Sequence, residues 1–383
     1  MDVVLEQAAQ RFPLIPRPRP ACPPLTARVA ALCDLADAAA HRADADHLAL
    51  AAETLNKAAL IASDCGVPGL ARSLCWRHFT IYRLGWPLGG QHARRALEPL
   101  VNLARLAIRA GNGFGGYQLI ENLLHAVSSG GRADIDGRPV SFDSFTRTSD
   151  DLRMVRQWLY GVFVAEGIRA LISSSRWQDA VTHAQQYRGV GERLLDGRQA
   201  AVVAHCLAGH ADTAAALLAG STLVQPWEHA VADCLAMLCD RSAGHSTSNI
   251  GADLQRHYLE LDRTPELVVF RTRLGLTILD LADADRPLTG QVFACLISDL
   301  IATADGYAAR DALSHQGCRT RLTTRQQRAL ASAVESAGLR AEAIPQPLVR
   351  YLHTAVEIGE AVLARSLDAA AVEATAPAST VRS

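Results

Sequence analysis

Apolar residues recur along most of this chain at the spacing of one face of an α-helix. Leu97, Leu100, Val101, Ala104 and Ile108 fall at i, i+3, i+4, i+7 and i+11. Ile120, Leu123, Leu124 and Val127 repeat the pattern, as do Leu348, Tyr351, Leu352, Ala355 and Val362 near the C-terminus. With 3.6 residues per turn, each set forms one stripe that has to be buried against another element. Stop signals separate the stripes: Gly66-Val67-Pro68-Gly69, Gly85 to Gly90, Gly111 to Gly116, Gly189 to Gly191, Gly209, Gly220 and Asp285-Arg286-Pro287. From Leu25 onwards this predicts about fifteen helices of roughly 12–20 residues, joined by connections of roughly 2–6. Connections that short make antiparallel helical hairpins, so the expected fold class is all-α.

Three stretches depart from the helical period. Six of the sixteen prolines lie between Pro13 and Pro24. Each proline fixes φ and removes a backbone donor, so residues 1–24 are expected to form an extended arm packed along the body. Residues 129–148 are rich in Gly, Ser and Asp, with Val140, Phe142 and Phe145 partly alternating. The core of that stretch, Asp134-Ile135-Asp136-Gly137-Arg138, suits a turn, which predicts an ordered loop or a small hairpin. Residues 242–251 are Ser/Gly-rich and predict a flexible connector. These breaks divide the helical body into blocks at 25–128, 149–241 and 252–367, followed by a disordered tail at 368–383.

Composition changes the picture little. The 383 residues include 67 Ala and 50 Leu, among the best helix formers, on a chain that is 49% hydrophobic. That content excludes a disordered chain. No run approaches the ~18 apolar residues of a membrane span, and the start MDVVLEQAAQRF lacks a basic signal-peptide region. Net charge is -1, without a basic stripe, which argues against a nucleic-acid partner. The nine cysteines are irregularly spaced with no C-x-x-C pair, as expected of reduced thiols in a cytoplasmic protein.

Arg176-Trp177-Gln178-Asp179-Ala180 opens one helix, a second is expected from about Val190, and Gly209-His210-Ala211-Asp212 opens the next about 33 residues later. This resembles the tetratricopeptide pattern of paired helices. Trp177 and Ala200 stand where that family has a Trp and a small Ala. Val181, Ala184, Gly197 and His205 depart from it. The resemblance covers residues 44–240 by architecture and one unit by motif. It implies a right-handed superhelix of hairpins, an α-solenoid, and no particular binding residues.

Catalytic signatures are missing from the sequence. His205, Cys206 and His210 are spaced too loosely for one metal site, and Cys234 and Cys239 point apart at i, i+5. Asp150-Asp151 suits a helix start better than a magnesium site. Gly111-Asn112-Gly113-Phe114-Gly115-Gly116 follows a helix and suits an inter-helix turn better than a phosphate cradle. No metal and no cofactor is therefore expected. What breaks pattern is polar: Asn56, Asn102 and Asn122 fall inside helices, where asparagine is a poor fit. Lys57, the sole lysine, adjoins Asn56, and Arg105 lies one turn from Asn102. These residues, with Trp76 and Tyr82 for apolar contact, are the expected groove of a non-enzymatic protein that holds a peptide or protein partner, with a homo-oligomer as a further option. The alternative is an all-helical enzyme tailoring a peptide or small metabolite. Its acid/base residues would be His78 and Glu166, each interrupting an apolar stripe, with Arg169 beside Glu166.

Overall fold

The structure, a computed structural model, describes residues 2–17, 20–42, 46–245, 251–282 and 287–375. It is all-α, with eighteen helices and one two-stranded sheet among the described residues. The chain begins with α1 (Val3–Ala9), α2 (Leu25–His41), α3 (His47–Asp64), α4 (Pro68–Leu84), α5 (Gly90–Arg109) and α6 (Gly113–Ser129). A hairpin follows, β1 (Arg132–Ile135) and β2 (Arg138–Ser141), and then α7 (Ser149–Ser173). Next come α8 (Trp177–Gln186), α9 (Asp196–Leu207), α10 (Ala211–Ala219), α11 (Pro226–Ser242) and α12 (Gly251–Glu260). The rest are α13 (Val268–Leu281), α14 (Pro287–Thr303), α15 (Gly306–Ser314), α16 (Gln316–Arg319), α17 (Thr324–Ser336) and α18 (Gln346–Thr375). No described helix is long and apolar enough to cross a membrane.

The local signals act as the chemistry of helix ends requires. Pro68 opens α4 and Pro226 opens α11, positions where the missing N–H has no intrahelical partner anyway. Asn112 caps α6 by accepting from the Gly115 N–H at 2.9 Å, so the glycine run is an inter-helix turn. Thr148 and Asp151 cap α7 reciprocally, Thr148 Oγ1 accepting from the Asp151 N–H and Asp151 Oδ2 from the Thr148 N–H, both at 3.1 Å. The other Asp151 oxygen accepts from the Gly90 N–H at 2.6 Å, at the start of α5. One carboxylate thus serves two helix N-termini.

The chain forms two compact units that do not follow the sequence blocks. Unit I comprises Met1–Pro24 and Val164–Leu339; unit II comprises Leu25–Phe163 and Arg340–Ser383. In unit II, α2 to α6 pack each on the next, and α18 lies against α2, α3 and α4. The α18 stripe differs by one position from the expected one. Leu352, Ala355 and Val362 are buried, joined by Val356 and Leu363, but Tyr351 is 60% exposed. Helix α18 continues through the first half of the expected tail, to Thr375; residues 376–383 lie outside the described residues, as do 246–250 of the expected connector and Asp285-Arg286.

In unit I, α8 to α11 pack as successive hairpins. The second of these helices starts at Asp196, later than the Val190 expected, because residues 187–195 form a loop. Gly197 has to be glycine there: a Cβ would overlap the Gly189 carbonyl oxygen of that loop. Residues 1–24, expected as one extended arm, instead begin with a helix, α1, which buries Leu5, Ala8 and Ala9; the described proline-rich residues after it pack in this unit with Phe12, Leu14 and Cys22 buried. The Leu14 N–H donates to Gln199 Oε1 at 2.7 Å, and Gln199 Nε2 returns a bond to the Leu14 carbonyl at 3.0 Å. Further on, Asp305 Oδ2 accepts from the Cys22 N–H at 2.6 Å. Side chains thus supply the partners that an extended, non-sheet segment cannot find in itself.

Candidate functional site

Helix α4 has two faces of different character. Ala71, Leu74, Cys75, His78, Phe79 and Tyr82 are buried. Gly69, Arg72, Ser73, Trp76, Arg77 and Thr80, at i, i+3, i+4, i+7, i+8 and i+11, line a cleft of about 470 Å³. That volume is in the range that holds small ligands or a few peptide residues. Ile81 of the same helix, Arg138 of β2 and Glu360 of α18 complete the lining, so the whole cleft belongs to unit II.

The hairpin supplies one wall. Asp136 and Gly137 both have positive φ, 53° and 79°, as a two-residue turn with the twist of its strands requires. Asp134 Oδ1 accepts from the Gly137 N–H at 2.8 Å and closes that turn. Apolar side chains then seat the hairpin: Trp86 has ring centroids 5.8 Å from Phe142, 4.8 Å from Phe145 and 6.2 Å from Phe79 of α4. This fixes Asp136 beside Arg72, at 2.8 Å, and puts the Arg138 guanidinium 4.6 Å from the centroid of the Trp76 ring. Trp76 Nε1–H also donates to Asp136, at 3.4 Å.

The electrostatics of the cleft are uneven. Arg72 is paired with Asp136, and Arg77 with Glu360 at 2.6 Å. Arg138, held by the π-face of Trp76, makes no ion pair among the described residues. Together with the Ser73 and Thr80 hydroxyls, this leaves one positive charge for an acidic group, next to a mostly buried indole.

The sequence-derived groove residues are distributed over several places. Asn56 and Asn102 meet: Asn102 Nδ2 donates to Asn56 Oδ1 at 3.0 Å, and Asn56 Nδ2 donates to Glu98 Oε2 at 3.2 Å. Arg105 Nη1 donates to Asn102 Oδ1 at 3.0 Å. Burial pushes the Glu98 carboxyl up, against the pull of Arg94 and the Asn56 amide. The two asparagines thus tie α3 to α5 through a shared polar chain. Lys57 pairs with Glu53 at 2.7 Å along the same helix, and Asn122 is exposed on α6. Trp76 lines the α4 cleft. Tyr82 has no exposure at all and is a core residue, so it has no surface to offer a ligand.

The acid/base residues expected of an enzyme belong to different units, His78 to unit II and Glu166 to unit I. His78 is sealed in unit II, where burial lowers it to about 3 and keeps the ring neutral. Its Nε2 has no partner among the described residues. Glu166 belongs to unit I and pairs with Arg169 at 3.1 Å, one turn along α7, which accounts for a carboxylate on an apolar face. A His–carboxylate pair stands elsewhere in unit I. His257 Nδ1 of α12 is 2.6 Å from Asp233 Oδ2 of α11, with the His229 ring 5.4 Å from that of His257. Burial raises the Asp233 carboxyl, and the bond from His257 opposes that shift. The signal was present in the sequence as two (i, i+4) pairs, His229/Asp233 and Asp253/His257, but they lie on separate helices. Among the described residues no three His, Cys, Asp or Glu side chains are placed to hold a metal ion.

Comparison with models of known protein families, with curated proteins and with solved structures finds no significant match for this chain.

Proposed function

We propose that this protein is a non-enzymatic helical binding protein whose α4 cleft holds an acidic peptide segment of a partner. One observation carries the reading: Arg138, without a carboxylate of its own, is stacked on Trp76 inside a cleft of about 470 Å³. A guanidinium preorganised by an aromatic face loses little freedom on meeting a carboxylate, and its planar fork favours a bidentate bond. The Ser73 hydroxyl can bond a peptide N–H or C=O along the same helix face, while Thr80 Oγ1, which donates to the Trp76 carbonyl at 2.8 Å, can accept from a peptide N–H. Nine free thiols accord with a reducing, cytoplasmic setting.

The test is calorimetric titration with short acidic peptides and with their Asn/Gln counterparts. Acidic peptides are expected to bind, the amide versions not, and Arg138→Ala to weaken binding about tenfold, roughly 1.4 kcal/mol. Equal binding of both peptide sets, or an unaffected Arg138→Ala variant, refutes the assignment.

A second reading, an all-helical enzyme, is favoured by the Asp233–His257 pair. Asp233 orients the imidazole as a base-supporting carboxylate does. A reaction that persists unchanged in Asp233→Asn would remove that support.

A further inference from the structure

Cys206 lies one residue from the end of α9 and Cys239 three residues from the end of α11. These helices pack on each other within unit I. The two sulfur atoms are 3.6 Å apart, in contact, against ~2.05 Å in a disulfide. Cys33 and Cys295 are the more exposed thiols; among the buried ones Cys206 and Cys239 keep 3% and 5% exposure, against 2% or less for Cys22, Cys65, Cys75, Cys234 and Cys318. We propose that Cys206 and Cys239 are an oxidisable dithiol, which a hydroperoxide converts into a disulfide joining the ends of α9 and α11.

The chemistry balances with the peroxide as oxidant. The Cys239 thiol gives up its proton and the sulfur attacks one peroxide oxygen; an S–O bond forms, the O–O bond breaks, and the leaving oxygen takes up that proton and departs as water or alcohol. Cys239 is then a sulfenic acid. The Cys206 sulfur attacks the Cys239 sulfur; the S–S bond forms, the S–O bond breaks, and hydroxide leaves with the Cys206 proton as water. Two thiols lose two electrons and the peroxide gains them. The hydrogen bond between the sulfurs supports this division of roles, holding the Cys239 thiol below its usual range and raising that of Cys206.

The experiment treats the folded full-length chain with hydrogen peroxide, quenches with an alkylating agent in denaturant, and maps cysteines by mass spectrometry. The expected result is the loss of two of the nine thiols, a mass lower by two hydrogens, and a Cys206–Cys239 cross-linked peptide that dithiothreitol abolishes. In Cys206→Ser the cross-link is absent and Cys239 is trapped as a dimedone adduct. The proposal is overturned if Cys206 and Cys239 both remain alkylated after peroxide treatment, or if the cross-link joins other cysteines. Should the variant fail to fold, the mapping of the wild-type chain decides by itself.

Discussion

His78 shows how a single buried side chain sets a pH limit. The ring is sealed with Nε2 unpartnered, and burial lowers it to about 3. An unfolded histidine takes its proton near pH 6.5. Below that pH the unfolded chain therefore binds a proton that the folded one refuses, and stability falls as pH falls, until about pH 3. Going from pH 7 to pH 5 is expected to cost about 2 kcal/mol at this position. His78→Phe should lose less stability over that interval, measured by urea unfolding at both values; a parallel loss in wild type and variant contradicts the account. Asp151 acts in the same sense at lower pH. The Thr148 hydroxyl bond is the largest influence holding its carboxyl below the usual range, so its contribution is complete above about pH 4 and is lost as pH falls through the folded value. Asp151→Ala should cost about 1 kcal/mol at pH 7, the usual worth of a cap, and the difference from wild type should narrow at pH 3.

At the scale of elements, the hairpin governs the candidate site. Its tip carries Arg138 and Asp136, and its anchors are Phe142 and Phe145 against Trp86. Phe142 is 2% exposed, and Phe142→Ala should cost about 3–5 kcal/mol. Hydrogen exchange should then accelerate across residues 132–141 ahead of α4, because among the described residues β1 and β2 pair only with each other and depend on this cluster to stay down. Unaltered protection there would mean that other contacts hold the hairpin.

The hairpin also marks how far the sequence could be read. Asp136-Gly137 announced a turn, since only a residue tolerant of positive φ next to glycine fits it. The stripes of α5 and α6, the inter-helix turn at Gly111 to Gly116 and the helix start at Asp150-Asp151 were legible for the same reason: each depends on neighbours within about one or two turns. The cleft was legible only as Trp76. Arg72 and Arg77 share a face of α4 with Trp76 at helical spacing, but Arg138 and Glu360 come from far away in the chain, and no periodicity links them to that face. The opposite error occurred at Tyr82 and His78. Polar tips on an apolar stripe suggest a pocket, but the stripe here is simply core, with Tyr82 wholly enclosed.

At the scale of the whole molecule, each unit is closed by a segment remote in sequence. The proline-rich arm enters unit I, and α18 enters unit II. Removing residues 1–24 would leave the buried Gln199 without its two bonds to Leu14 and Asp305 without the Cys22 N–H. Buried groups left unpaired cost about 1–3 kcal/mol each. The truncated chain is therefore expected to unfold at markedly lower urea concentration through unit I, with protection in α2 to α6 retained. Equal loss of protection in both units would show that the arm supports more than the unit it packs in.

By itself the sequence determined the class of this protein: helix-forming composition, a 3.6-residue apolar period, and caps and glycines at the breaks. Those properties are local, set by backbone sterics and by the end groups of each helix. Only the tertiary structure decided which segments share a core, that Asn56 and Asn102 bond to each other, and that an arginine is stacked on Trp76 in an accessible cleft. Such pairings depend on the path of the chain between distant residues, and side-chain periodicity carries no record of that path.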